Sequence, residues 1–223
     1  ALKTDINASA ELKNLFVKNI DKTDELSDAW KLVRESIAEG TQFSKDPKTL
    51  EKIADYLSPK NSDKLQAIGG IDELKSFITR HKDVPCYTCG NGGLPVFGNR
   101  TLDEMIENFV EVGYNFRNSP TLWNKLKMGT ESANAAMREG TQHTLEVFKK
   151  NSTKYSPSRI EDLDMKFEAV LDDICENCRF DVKFKLGNTP RFEEFKSYNS
   201  NTWASIKNSE KFTKQFKRYL QDN

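Results

Sequence analysis

RFDVKFKLGNTPRFEEFKSY, residues 179–198, is the stretch on which the fold turns. Phe180, Val182, Phe184 and Leu186 alternate with Arg179, Asp181, Lys183 and Lys185, the period of a half-buried strand. Gly187-Asn188 supplies a tight turn, and RFEEFKSY reads as a second strand. Period two puts Glu194 and Lys196 on one face of that strand and Glu193, Phe195 and Ser197 on the other. Asp181 falls on the face opposite Phe180 and Val182, so the hairpin register is expected to bring its carboxylate beside Glu194. Two carboxylates so placed repel unless a cation lies between them, and oxygen ligands favour Mg²⁺ or Mn²⁺. A lysine beside such a pair can orient an attacking water or stabilise charge developing at phosphorus, which makes a phosphodiester the natural substrate. The alternative use of the same residues is a solvated cross-strand ion pair worth under about 1 kcal/mol.

Outward from the hairpin, DMKFEAVLDD (164–173) repeats the two-residue period. TESANAAMREGTQHTLEVFKKN (130–151) has helical spacing, with Ala136, Gly140, His143 and Val147 on one stripe and Glu139 at its edge. The tail from Thr202 is helical again, its apolar residues including Trp203, Phe212 and Phe216. A helix, an antiparallel run of three strands and a closing helix make an α+β arrangement. The first 83 residues read as helices: AELKNLFVKN, DELSDAWKLVRESI with Asp24 as a cap, DPKTLEKIADYL with Pro47 at its start, and IDELKSFITRH after Gly69-Gly70. A Gly-, Pro- and Asn-rich loop, VPCYTCGNGGLPVFGN (84–99), follows, then the helical RTLDEMIENFVEV. The expected organisation is a helical segment over 1–83 and an α+β domain over 84–223.

Lys and Arg (34) balance Asp and Glu (34), which argues against a chain that binds nucleic acid through bulk charge. Locally the balance differs: between Arg179 and Asn223 there are 10 basic and 5 acidic residues. No apolar run approaches the roughly 18 residues of a membrane span. The abrupt start, without a basic head or apolar signal stretch, suggests a fragment of a longer chain.

The cysteines form two C-x-x-C pairs, Cys86/Cys89 and Cys175/Cys178. Four thiolates satisfy tetrahedral Zn²⁺, and a structural zinc clamping the Gly-rich loop to the hairpin is the leading expectation. Disulfides in an oxidising space are the rival use.

DVKFKLGNTPRFEEFKSY resembles the metal-binding hairpin of the PD-(D/E)xK, restriction-endonuclease-like nucleases, with Phe180-Asp181 where the family name has Pro-Asp. The wider layout resembles a C-terminal nuclease toxin domain of Bacteroidetes-type bacterial polymorphic toxins, through Ala29-Trp30-Lys31, Pro85-Cys86-Tyr87-Thr88-Cys89, Arg138-Glu139-Gly140 and Glu194-Phe195-Lys196. The resemblance implies a central, mainly antiparallel sheet flanked by helices. It also implies catalysis by Asp181, Glu194 and Lys196, with Mg²⁺ held by Asp181 and Glu194. The acid from the first core helix would fall on Glu139, or on Glu146, and Glu168 is a competing ligand. Tyr198 and Trp203 are candidates for base stacking, and Lys211, Lys214 and Gln215 for phosphate contacts. The implied protein is a secreted or contact-delivered DNase acting in a target cell's cytoplasm and neutralised by a cognate immunity protein. An RNase or tRNase on the same fold and a non-catalytic zinc-stabilised binding module or adaptor are the alternatives.

Overall fold

Helical periodicity in the first part of the chain is realised as α1 (Leu2–Ala8), α2 (Ala10–Lys18), α3 (Thr23–Ser36), α4 (Pro47–Leu57), α5 (Ser62–Ile68), α6 (Ile71–Arg80) and α7 (Leu102–Asn115). The computed structural model describes residues 2–36, 46–81, 100–163, 181–193, 195, 208–210 and 213. Packing divides the chain into two units, Ala1–Arg117 and Asn118–Asn223. Helix α7, which the sequence reading grouped with the second part, packs on α4, α5 and α6 and so belongs to the first unit.

The first unit is built on burial. Leu26, Ala29 and Val33 of α3, Leu50 and Ile53 of α4, Leu74, Phe77 and Ile78 of α6, and Ile106, Phe109 and Val110 of α7 are almost completely removed from water. Each set recurs at three- and four-residue spacing, so each helix turns one apolar stripe inward. At its centre Phe77 stacks on Phe109 with ring centroids 4.3 Å apart. Local chemistry fixes the helix ends. Asp46 caps α4 by accepting from the amides of Lys48 and Thr49 ahead of Pro47, and Thr101 with Glu104 forms a capping box on α7. Asp24 is not a cap: α3 already begins at Thr23, and Asp24 lies in its first turn.

The second unit contains α8 (Pro120–Glu131), α9 (Ala135–Lys150), β1 (Ile160–Leu163), β2 (Val182–Leu186) and β3 (Thr189–Glu193). Helix α8 has no counterpart in the sequence reading. Its buried apolar residues, Trp123 and Leu126, are few, and the Pro120 and Gly129 at its two ends resemble loop punctuation. Gly129 lets the helices meet closely: a Cβ there would stand 2.2 Å from Thr141 Oγ1 of α9. The sheet has the order β1-β2-β3, antiparallel throughout. The mostly helical α+β character matches the sequence reading, and the Gly187-Asn188 turn stands where expected, between Leu186 and Thr189, which pair. Gly187 has φ 64°, a left-handed conformation that side chains disfavour. The strand expected at 164–173 and the helix expected from Thr202 lie largely outside the described residues, whereas β1, just before the former, is an addition.

The face of α9 differs from expectation. Gly140, His143 and Val147 are only half-buried, while Thr141, Gln142, Thr144, Leu145 and Phe148 are buried. Polar residues occupy much of the inward face, and a search for apolar spacing alone selects the neighbouring stripe.

Candidate functional site

The open end of the β2–β3 hairpin is where the chemistry expected from the sequence can be examined. Val182 pairs with Glu193, and the amide of Asp181 also donates to the Glu193 carbonyl at 2.9 Å. Two consecutive residues thus address one residue of β3 at the end of the ladder. Asp181 (2% exposed) and Val182 (0%) are both buried. Asp181 is therefore not a member of a solvated cross-strand ion pair.

Burying a carboxylate is costly unless donors or a cation compensate it. One donor is the backbone amide of Phe195, which bonds Asp181 Oδ2. The contact brings the acid of the first strand onto the backbone of Glu194-Phe195-Lys196, at its middle residue.

Phe195 is anchored in turn by its ring. It meets His143 of α9 edge-on at 6.4 Å, Phe148 at 6.0 Å and Tyr155 at 5.6 Å. Tyr155 stacks on Phe148 at 5.0 Å and is 4% exposed. Its hydroxyl donates to Glu193 Oε2, and Lys154 Nζ donates to Glu193 Oε1 at 2.7 Å. Burial, helped by the bond to Glu193, pushes the Tyr155 phenol above its ordinary value; the same carboxylate raises Lys154. Glu193 and Tyr155 were missed in the sequence. Glu193 had been placed on the face away from the candidates, and nothing in the spacing of Tyr155 marks it.

Among the expected site residues, Asp181 is buried, and His143, expected only on the helix stripe, packs against Phe195. Glu139 is half-buried, one helical turn before His143 on α9. Glu146 forms an i,i+4 ion pair with Lys150. Glu194, Lys196, Glu168, Tyr198, Trp203, Lys211, Lys214, Gln215 and the four cysteines, Cys86, Cys89, Cys175 and Cys178, lie outside the described residues. Among the described residues no group of three or more His, Cys, Asp or Glu stands together to hold a metal ion. The oxygen donor that Asp181 brings suits a hard cation such as Mg²⁺.

The outer side of the sheet is paired rather than openly cationic. Glu161 lies 2.6 Å from Lys185 and 3.4 Å from Lys183, and Lys125 pairs with Asp162. Lys185 foremost, with Lys183, holds the Glu161 carboxyl below its ordinary range. No described helix is long and apolar enough to cross a membrane. Comparison with protein-family models, curated proteins and solved structures finds no match to this chain.

Proposed function

We propose that the chain is a metal-dependent endonuclease of the PD-(D/E)xK type, a DNase toxin used between competing bacteria. In this reading it is a piece of a larger secreted or contact-delivered protein, acts in the target cell's cytoplasm and is held inactive by a cognate immunity protein. The observation that carries the reading is the bond from the Phe195 amide to the buried Asp181 carboxylate. An acid just ahead of β2 is tied to the amide of the middle residue of the E-x-K segment that follows β3, which supports a site where two carboxylates and a lysine act on one phosphodiester.

Asp181 and Glu194, assisted by Glu139, would hold Mg²⁺ or Mn²⁺. When bound, such an ion supplies positive charge to the phosphate and lowers the pKa of a ligated water. Lys196 orients the water and stabilises charge on the phosphate oxygens. The burial of Asp181 has a role in this scheme. Away from bulk water the carboxylate's interactions are stronger. Structural Zn²⁺ on Cys86, Cys89, Cys175 and Cys178 belongs to the same proposal as a clamp outside the chemistry.

The test is incubation of the purified chain with plasmid DNA and total RNA, with Mg²⁺ or with EDTA, beside Asp181→Asn and Glu194→Ala/Lys196→Ala. The expected result is Mg²⁺-dependent DNA cleavage, reduced at least about 100-fold in both variants. Cleavage of RNA alone would change the substrate and keep the fold. Wild-type levels in the variants would remove these residues from the mechanism, and a wild type inert on both nucleic acids would overturn the nuclease reading.

A further inference from the structure

We infer that Tyr155 is a positioning residue for the candidate site, holding Glu193 and Phe195 where the Phe195 amide meets the Asp181 carboxylate. The inference rests on the nuclease reading above and assigns a role to a residue outside the E-x-K segment.

The argument starts from what one side chain touches. The Tyr155 hydroxyl donates to Glu193, and its ring meets Phe195 edge-on at 5.6 Å. Glu194 lies between these two residues in the chain. The grip on Glu193 is complete at both carboxylate oxygens, because Lys154 Nζ takes the second at 2.7 Å. The grip on Phe195 is shared with Phe148 and His143 of α9, while its amide is bonded to Asp181. Tyr155 is itself held, by stacking on Phe148 at 5.0 Å and by an edge contact with Phe184 of β2 at 5.6 Å. Holding the Phe195 ring also holds the amide that bonds the Asp181 carboxylate. Metal ligation and in-line attack both suffer when a ligand moves by about 1 Å, so a hydroxyl that holds the strand governs the site without touching substrate.

The first unit supplies an internal control. Tyr56 donates to Glu111 at 2.9 Å, and Lys64 bonds the same carboxylate at 2.8 Å. The chemical grouping is the same, away from any E-x-K segment.

Tyr155→Phe, Glu193→Gln and Tyr56→Phe are compared with the wild type by calorimetric titration with Mn²⁺ alone, by the Mg²⁺ dependence of plasmid cleavage, and by thermal melting. Tyr155→Phe is expected to weaken Mn²⁺ binding about tenfold or more and to raise the half-saturating Mg²⁺ concentration in parallel. Its melting temperature should fall no further than that of Tyr56→Phe. Glu193→Gln keeps an acceptor for the hydroxyl and should shift both metal values less than Tyr155→Phe does. Tyr56→Phe should leave them at the wild-type level. Unchanged metal values in folded Tyr155→Phe, or equal shifts in Tyr56→Phe, would overturn the inference while leaving the nuclease standing. A wild type that neither binds Mn²⁺ nor cleaves overturns the nuclease reading, and the inference with it.

Discussion

Each unit of this protein contains a tyrosine and a lysine on one glutamate, and the two groupings serve different surroundings. In the first, Tyr56 of α4 and Lys64 of α5 converge on Glu111 of α7, and Lys64 Nζ also lies 6.0 Å from the Tyr114 ring. Three helices are joined there, on the flank of an apolar core. In the second, Lys154 and Tyr155, just beyond α9, converge on Glu193 at the end of β3. Here the grouping joins a turn to the strand that leads into the candidate E-x-K segment. Identical chemistry makes a brace in one place and an alignment device in the other, and only the neighbours distinguish them.

The largest effect should separate packing from chemistry. Phe77 is completely buried and stacked between Phe109, at 4.3 Å, and His81, at 4.2 Å. Phe77→Ala is expected to cost the first unit about 3–5 kcal/mol in urea unfolding. The proposed nuclease activity per folded molecule should be unchanged; a loss of activity beyond the loss of folded protein would break the division of labour between the two units.

A smaller effect is expected from Gly129→Ala in the second unit. The added methyl would stand 2.2 Å from Thr141 Oγ1 and 2.9 Å from its Cγ2, so α8 and α9 must separate or Thr141 must rotate. The cost should be about 1–3 kcal/mol, read as a lower denaturation midpoint. A neutral or stabilising substitution would show that the helix pair has slack there.

The smallest effect is a pH dependence shared by the two tyrosines. Both phenols are raised above the ordinary 10.0, by burial first, then in Tyr56 by the charge of Glu111 and in Tyr155 by the bond to Glu193. A phenol raised by folding keeps its proton where the unfolded chain has released it. The contribution to stability is therefore full below pH 10.0 and is lost as pH rises through the folded value. Unfolding followed from about pH 8 to about pH 11, roughly two units below and one above the ordinary phenol value, should show this alkaline loss, and each Tyr→Phe variant should flatten it. A slope unchanged in Tyr56→Phe but reduced in Tyr155→Phe would mean that only the second tyrosine titrates with unfolding.

Much of the fold was legible where one physical signal dominated. The stripes of α3, α4 and α6 and the alternation of Val182 and Phe184 around the Gly187 turn are apolar patterns at a single period. Legibility failed where the buried residue is polar. Thr141, Gln142 and Thr144 turn α9 toward a face that apolar spacing does not select. Asp181 is a buried acid next to the buried Val182, and a polar residue inside is not marked by apolar alternation. At the site, sequence reading picked out Asp181 and the residues around Phe195, but it missed Glu193 because a satisfied glutamate looks the same on paper as a solvated one.

The two-residue turn at Gly187 has a consequence in time as well as in space. Asp181 and Phe195 are 14 positions apart, so their meeting needs only the closing of a short hairpin, an event of about 1–10 μs. Glu193 and Tyr155 are 38 apart, and Lys125 and Asp162 are 37 apart. The longer loops cost more entropy to close. The bond between Asp181 and Phe195 therefore closes at the lower entropic cost, and the bond from Tyr155 to Glu193 at the higher.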